Sequence, residues 1–305
     1  MTDVAWITGA GGFTGRTMAR YLAALPDRPR LVALDLSADG PAEADACFAV
    51  DLKDVDQVAD LARRHPPRWV VHLAGAMPPV PETALWQGNV GATAGLLTGL
   101  MRVDLTGVRL LSIGSAAEYR LDGDAPIDEA CPTLPASPYG RTKWVQSSLV
   151  LANATAPPLQ GMVARPFNLI GPGLGERHVI GAICRQVAAM DSPGELVLGN
   201  TASARDFIDV RDAVVAYWAI VRDGRPGRVY NVCSGEAVSV GQIVNQVAEL
   251  LDRKLTVRSD PGRNRPSDPP RVVGDATRLR TELGWQPAVS LRQSLEDMLA
   301  WSPDA

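Results

Sequence analysis

A tyrosine and a lysine stand four residues apart in the middle of the chain, in the segment Tyr139–Lys143 (YGRTK). On a helix this spacing places a phenol and an ammonium on one face. Tyrosine has an ordinary pKa near ~10 and is a poor proton donor and acceptor at neutral pH, whereas a nearby ammonium stabilises the phenolate. We therefore expect Lys143 to lower the pKa of Tyr139, and the pair to catalyse proton transfer.

A glycine-rich turn lies near the N-terminus, where Gly9, Gly12 and Gly15 recur every third residue in the sequence TGAGGFTG. Glycine allows a tight turn, and its missing Cβ lets backbone amides approach a pyrophosphate. A helix that begins at the end of the turn favours the negative charge of the phosphates. Together with Phe13 inside the turn, these glycines are predicted to hold a dinucleotide.

The choice between NAD and NADP depends on the residue that ends the second strand, Asp35, which follows Gly15 by twenty positions. A carboxylate there accepts a hydrogen bond from the ribose 2′-OH of NAD and repels the 2′-phosphate of NADP. Arg16 is a counter-signal, because its guanidinium could pair with that phosphate. The sequence therefore favours NAD and leaves NADP open.

Other predicted strands end at the same edge of the sheet, where ligands of such folds bind. Ser115 ends the fifth strand, and its hydroxyl could hold a carbonyl oxygen together with Tyr139, beside the nicotinamide. Lys143 could also hydrogen-bond the nicotinamide ribose. His72 is interpreted as structural. The strand-end residues expected to contact the cofactor are Asp51, Leu52, Leu73, Ala74 and Gly75.

The elements that position these residues alternate between apolar strands and helices. This alternation predicts a parallel sheet with right-handed crossovers and helices on both faces. The fold class is α/β, a Rossmann-type doubly wound sheet with a smaller C-terminal substrate-binding lobe. The predicted dinucleotide-binding domain comprises residues 1–165 and about 208–235, and the substrate-binding lobe comprises 166–207 and 236–305. The first six strands are expected at 4–8, 31–35, 47–51, 69–75, 109–114 and 161–165.

Composition excludes several other classes of protein. The 305 residues carry a formal charge of -4 with 46% hydrophobic residues, so nucleic-acid binding is not expected. No apolar run reaches the ~20 residues that span a bilayer, and the first strand leaves no room for a signal peptide. The four scattered cysteines predict reduced thiols in a cytoplasmic protein without a metal site.

Taken together, these motifs resemble the extended short-chain dehydrogenases/reductases of the nucleotide-sugar epimerase/dehydratase kind. The resemblance covers essentially the whole chain and places Ser115, Tyr139 and Lys143 on the catalytic positions of the family. It implies a seven-stranded sheet, a small lobe and a homodimer formed through the Tyr139 helix and a helix at 83–101. Besides the glycine turn, the motifs are HLAG at 72–75, NVGAT at 89–93, SAAEY at 115–119, YGRTK at 139–143 and RPFNLIGPG at 165–173.

The second half of the chain resembles one branch of that family, the GDP-4-dehydro-6-deoxy-D-mannose reductases that make GDP-D-rhamnose. The motifs are RDFIDVRD at 205–212, VYNVCSG at 229–235, RPSDPP at 265–270 and LGWQP at 283–287. Two positions depart from the pattern: Arg120 replaces the usual glycine, and Ala117 stands where many of these reductases have an acidic residue. Both positions lie beside the sugar site of the family.

A nucleotide diphosphate requires cationic and hydrogen-bonding partners. Arginine suits this role because its guanidinium binds phosphate through two parallel hydrogen bonds. The expected substrate-binding residues are Arg185, Arg205, Arg265 and Asn168. The last of these could instead form an Asx turn before the glycine-proline pair.

The reaction type is narrowed by residues that the chain lacks. A 4,6-dehydratase needs an acid and a base directly after the catalytic serine, and here these positions hold Ala116 and Ala117. The sequence therefore predicts reduction of the C4 ketone of a nucleotide-linked 4-keto-6-deoxyhexose, and the resemblance to the reductases implies that the nucleotide is GDP. A nucleotide-sugar 4-epimerase with tightly bound NAD stays open as the alternative. A dinucleotide sensor is disfavoured because Tyr139 and Lys143 are both intact.

Overall fold

The main sheet of the computed structural model has seven parallel strands in the order β3-β2-β1-β4-β5-β6-β10. The structure describes residues 3–121, 123, 125–260, 262 and 269–301. Parallel pairing brings all carboxyl ends of the strands to one edge, which confirms the predicted doubly wound α/β fold. The strands are β1 (Val4–Thr8), β2 (Arg30–Asp35), β3 (Ala46–Ala49), β4 (Trp69–His72), β5 (Val108–Ile113), β6 (Leu159–Pro166) and β10 (Val229–Val232).

Helices cover both faces of this sheet. Successive side chains of a strand point to opposite faces, so Trp6 packs into one buried cluster and Ile7 into the other. The cluster around Ile7 includes residues of α1 (Phe13–Ala23) and α7 (Val210–Asp223). The cluster around Trp6 includes residues of α2 (Val55–Arg64) and α4 (Ala92–Met101), and α5 (Pro138–Ala152) packs beside α4.

The helical segment before β5 has three parts: α3 (Glu82–Leu85), a π-helical turn (Trp86–Gly91) and α4. The sequence predicts one long helix over 83–101, and the segment is indeed continuous but widened in the middle. Its glycines have a packing role, because a Cβ on Gly95 would lie 2.1 Å from the carbonyl oxygen of Leu52. The helix therefore lies directly against the loop that follows β3.

A second, smaller part of the chain contains α6 (Val179–Ala189), α8 (Val240–Leu250) and α10 (Leu291–Ala300) around its own apolar core. The strand β9 (Ala204–Asp209) is central to it and was not expected from the sequence. It pairs with β7 (Asn168–Ile170), β11 (Ala237–Ser239) and β13 (Arg271–Val272). The remaining two strands, β8 (Gly194–Leu198) and β12 (Leu255–Ser259), pair with each other.

The division of the chain into two domains stays a prediction. The stretch from Val272 to Trp285 was assigned to the lobe, yet it contributes buried residues to the core of the main sheet, and α9 (Thr277–Leu283) packs against β10. Within the described ranges, no helix combines the length and the apolar character needed to cross a membrane. All four cysteines are free thiols.

Candidate active site

The three predicted catalytic residues stand at the carboxyl edge of the sheet. Ser115 follows the end of β5 and caps a 3₁₀ turn (Ala116–Glu118), where its Oγ accepts from the amide of Ala117 at 3.1 Å. Helix α5 begins at Pro138, with the Ser137 hydroxyl accepting from the third residue inside the helix. Both start signals are readable in the sequence.

Tyr139 faces Ser115 across this edge. The pKa of Tyr139 is raised to about 12: burial raises it, the Ser115 hydroxyl, which hydrogen-bonds to the phenol, lowers it, and Glu118 raises it. The expected lowering of this pKa by Lys143 is therefore wrong for this structure. The physical reason is that desolvation of the phenolate outweighs the favourable contacts. The phenol holds its proton at neutral pH.

Lys143 is 6% exposed and points under the end of β4. Its Nζ donates to Gln146 Oε1 at 2.7 Å, and Gln146 Nε2 donates to Ser112 Oγ at 3.0 Å. A Cβ placed on Gly75 would lie 3.8 Å from Nζ, so the strand-end loop and the ammonium are neighbours. Burial lowers the pKa of Lys143 to about 8, and Glu118 raises it.

The glycine turn is packed so closely against backbone that two of its positions accept only glycine. Gly9 has a φ of +66°, and a Cβ there would lie 2.7 Å from the backbone nitrogen of Ala74. A Cβ on Gly15 would lie 2.3 Å from the Gly9 oxygen. Gly12 is the N-cap of α1, and no side chain caps this helix. The backbone amides at the start of α1 therefore have no side-chain cap beside the glycine-rich turn, and they are available to donate to a pyrophosphate.

Asp35 lies beside this turn, at the end of β2. Its Oδ2 accepts from the Gly11 amide at 2.9 Å, and its Oδ1 accepts from the amide of Leu36 at 2.8 Å. Arg16 reaches the same turn, since its Nε donates to the Gly11 oxygen at 2.9 Å. The structure thus places both the predicted NAD determinant and its counter-signal at one position. The residues fit a dinucleotide of either kind.

We expect Asp35→Ala to relax discrimination against NADPH at least about tenfold, because a hydrogen-bond acceptor and a repulsive charge are lost together. The ratio of kcat/KM for NADH and NADPH measures the change. Arg16→Ala is the matched control and should shift the ratio in the opposite direction. A wild-type enzyme that already prefers NADPH strongly would contradict this role of Asp35.

His72 connects β4 to its neighbours through a closed hydrogen-bond chain. Thr93 Oγ1 donates to the Asn89 oxygen at 2.6 Å and so accepts from His72 Nε2 at 2.8 Å. His72 Nδ1 must then accept from Thr8 Oγ1 at 2.8 Å, and Thr8 Oγ1 accepts from the Ala74 amide at 3.1 Å. Burial lowers the pKa of this fully buried imidazole to about 3. His72 is therefore a neutral structural residue that fixes the loop after β4.

The remaining predicted cofactor residues surround the same edge. The amide of Leu73 donates to the Thr8 oxygen at 3.2 Å, which keeps this loop against β1. Asp51 forms an ion pair with Lys53 at 3.4 Å after β3, and Leu52 is buried beneath α4. Phe13 begins α1 and lies near Gly173, where a Cβ would be 3.8 Å from its ring. That these residues contact the bound cofactor stays a prediction.

The predicted substrate residues occupy different places. Asn168 Nδ2 donates to the Asp206 oxygen at 2.9 Å, so it joins β7 to β9. Arg205 lies on β9 and donates to the Ala204 oxygen. Arg185 forms an exposed ion pair with Glu176 at 2.6 Å on α6. Arg265 lies outside the described residues.

Arg185 lines a cavity of about 460 Å³ between the loop after β7, α6 and the end of α10. Trp301, Met298 and Cys184 form its apolar wall. Neither Tyr139 nor Ser115 lines this cavity.

Sequence reasoning missed one buried ion pair at the site, formed by Glu118 and Arg165. Arg165 Nε donates to Glu118 Oε2 at 2.8 Å, and both side chains are almost fully buried. The guanidinium also stacks on the ring of Tyr119, 4.5 Å from its centre. The signal in the sequence was the capping box formed by Ser115 and Glu118, three residues apart.

A phenol that keeps its proton, an adjacent serine and a buried lysine stand at the edge of a sheet that also carries a phosphate-binding glycine turn. This arrangement defines an NAD(P)-dependent oxidoreductase of the short-chain dehydrogenase/reductase class. The model of the GDP-mannose 4,6 dehydratase family matches residues 6–298, and the chain belongs to that family.

The relatives of the chain have several activities. GDP-6-deoxy-D-mannose reductase of Pseudomonas aeruginosa is 32% identical over 98% of this chain and 97% of its own length. UDP-glucose 4-epimerase of Streptomyces lividans is 30% identical, over 97% of this chain and 94% of its own length. The solved structure of RMD from Pseudomonas aeruginosa complexed with NADPH is 31% identical, with a TM-score of 0.84 over 98% of each chain.

Proposed function

We propose that this protein reduces the C4 ketone of GDP-4-dehydro-6-deoxy-D-mannose, with NAD(P)H as the reductant, to a GDP-6-deoxyhexose of the GDP-D-rhamnose type. The observation that carries the proposal is a complete Ser115, Tyr139 and Lys143 set in which Ser115 is directly followed by Ala116 and Ala117. Reduction needs only the three catalytic residues, whereas dehydration also needs proton-transferring side chains at the positions of the two alanines. The similarity to the Pseudomonas reductase supports the same reaction.

Each of the three catalytic residues has its own role in this reduction. NAD(P)H, held by the glycine turn and the strand-end loops, supplies the hydride when bound. Tyr139 begins the reaction as a neutral phenol and donates its proton to the C4 oxygen. Ser115 hydrogen-bonds the same oxygen and holds it beside the phenol. Lys143 supplies a positive charge that stabilises the phenolate left behind.

The raised pKa of Tyr139 suits this direction of reaction. At about 12 it keeps the phenol protonated throughout the working pH range, which is the form that a reductase needs at the start.

The alternative is a nucleotide-sugar 4-epimerase with tightly bound NAD. The 30% identity to the Streptomyces epimerase favours it, because epimerases use the same catalytic residues. An epimerase oxidises the sugar at C4 and reduces it again within one turnover, so it causes no net change in the absorbance of the cofactor at 340 nm.

Isotope labelling separates these reactions. Incubation with GDP-4-keto-6-deoxymannose and C4-deuterated NADH should oxidise the cofactor stoichiometrically and place deuterium at C4 of the sugar. GDP-mannose with NAD should give no 4-keto product. Inversion of GDP-mannose at C4 with no net change in the cofactor, and no reduction of the 4-keto sugar by NADH, would establish the epimerase instead.

We infer that Arg205 and Arg265 bind the diphosphate of the substrate, as their motifs suggest. Replacing either by alanine should raise KM about tenfold or more while lowering kcat less, as expected for binding that is equal in the ground and transition states. Arg185 is the third predicted cation, but its guanidinium is 72% exposed and already paired with Glu176, so Arg185→Ala should raise KM less than the other two substitutions. Unchanged KM in both the Arg205 and Arg265 variants would place the diphosphate elsewhere.

We also propose a cytoplasmic homodimer with separate dinucleotide and nucleotide-sugar domains. Exposed Trp86 and Trp144, on the helical segment before β5 and on α5, support a partner on this face. Light scattering of the wild type and of Trp144→Glu tests the dimer, and the substituted chain should be monomeric.

A further inference from the structure

The carboxylate of Glu118 joins three elements beneath the catalytic edge. Its side chain is 0% exposed. Oε1 accepts from the Ser115 amide at 2.8 Å and from Ser147 Oγ at 2.9 Å. Oε2 accepts from Arg165 Nε at 2.8 Å. One carboxylate thus contacts the end of β5, helix α5 and strand β6.

The backbone is shaped to admit this carboxylate. A Cβ on Gly114 would lie 2.3 Å from Glu118 Oε1 and 2.9 Å from Ser147 Oγ, so only glycine fits before Ser115. Ser147 is one helical turn beyond Lys143 and shares its face of α5. The carboxylate therefore fixes the distance between the Ser115 turn and the helix face that carries the lysine.

The contacts of Glu118 are those of an ionised group. All three partners are donors, and a carboxylate accepts only, whereas a protonated carboxyl would present a donor of its own. Burial raises the pKa of Glu118, and the Arg165 guanidinium and the Ser147 hydroxyl lower it. Arg165 stays charged, and its buried guanidinium needs this counter-ion.

We propose that Glu118 is a positioning residue that holds the Ser115 turn against the Tyr139–Lys143 face of α5 and supplies the buried negative charge that favours the ammonium of Lys143. The assignment deepens the proposed reduction, because that reaction starts from a neutral phenol beside a charged lysine. A negative charge at this place favours both of those forms.

The negative charge of Glu118 shifts the pKa values of Lys143 and Tyr139 in the same direction. Burial lowers the pKa of Lys143 and Glu118 opposes this, which leaves that pKa at about 8; Glu118 also raises the pKa of Tyr139. Removing the charge should therefore lower both. The titratable or charged groups that face this cluster are His72 of β4, Tyr119 of the 3₁₀ turn, Tyr139 and Lys143 of α5, Arg165 of β6 and Tyr217 of α7.

The chain allows a direct test, because it contains only three lysines: Lys53, Lys143 and Lys254. In protein labelled with ¹³C at the lysine side chains, three Cε signals can be assigned by Lys→Arg substitution and followed with pH. The Lys143 signal should titrate near 8 in the wild type. In Glu118→Gln it should titrate about one pH unit lower.

Two further variants keep the test decisive. Glu118→Gln alone leaves a buried guanidinium unpaired and could unfold the chain, whereas the double variant Glu118→Gln/Arg165→Met removes both charges and should fold. The Lys143 titration should move down in the double variant as well. Ser147→Ala keeps the carboxylate and should leave the titration within about 0.2 pH unit of wild type.

An unchanged Lys143 titration in either folded charge-removing variant, checked by near-ultraviolet circular dichroism, would overturn the proposal. The measurement uses no sugar substrate, so its outcome does not depend on the proposed reduction. If that reduction is also established, the alkaline limb of kcat/KM should move down with the NMR titration, which a purely structural role for Glu118 would not cause.

Discussion

Replacing Tyr139 by phenylalanine is expected to lower turnover of the 4-keto sugar at least about 100-fold, the usual scale for losing a general acid. The substitution keeps the ring and removes only the hydroxyl that donates the proton. Initial rates at 340 nm give kcat, and quenching of protein fluorescence gives the affinity for NADH. We expect that affinity to stay within about threefold of wild type, since the ring and Lys143 remain.

Tyr217 supplies the matched control for this substitution. It is a fully buried tyrosine that interacts electrostatically with Tyr139, and its hydroxyl has no hydrogen-bond partner among the described residues. Tyr217→Phe therefore removes an equivalent oxygen without removing the proton donor, and its kcat should stay within about twofold of wild type. Near-normal turnover of Tyr139→Phe would assign the proton to another group.

The elements that carry the site are readable from the sequence because each has a strong local signal. Buried parallel strands are continuous apolar runs, and helices begin at residues such as Ser137 and Pro138. Parallel pairing then forces the strand ends together, so Ser115 and Tyr139 could be predicted to meet. Strand β9 lacks such a run, since three of the six residues in its sequence ARDFID are charged. Its strand character comes from pairing with three distant segments.

The electrostatics of the site could not be predicted from spacing alone. Two groups on one helix face are expected to interact, but the sign of the net pKa shift of Tyr139 depends on how far burial desolvates the phenol. Burial is set by elements from the whole chain. The pairing of Glu118 with Arg165 likewise joins residues that are 47 positions apart, so only the capping box was visible locally.

The neutral burial of His72 predicts that the protein loses stability in acid. Its pKa is about 3 in the folded chain against 6.5 in the unfolded chain. Between these values the unfolded chain binds more protons, so the contribution is complete above 6.5 and decreases as the pH falls toward 3. From pH 7 to pH 5 this single group should cost about 2 kcal/mol of the free energy of unfolding. The hydrogen-bond chain gives the reason, because a protonated imidazole could no longer accept from Thr8.

Urea unfolding near pH 7 and near pH 5 measures the loss, and His72→Gln removes the titrating group while keeping an amide that can donate and accept. This variant should be less stable near pH 7, because it cannot match both threonine contacts, but its stability should fall by about 2 kcal/mol less than that of wild type between the two pH values.

His178→Gln is the control. That histidine is only partly buried at the start of α6, and burial lowers its pKa too, so its removal should change the slope in the same direction but by a smaller amount. If His72→Gln kept the wild-type pH dependence, the imidazole would have to be charged in the folded protein, and the hydrogen-bond chain from Asn89 to Ala74 would need the opposite proton arrangement at Thr8.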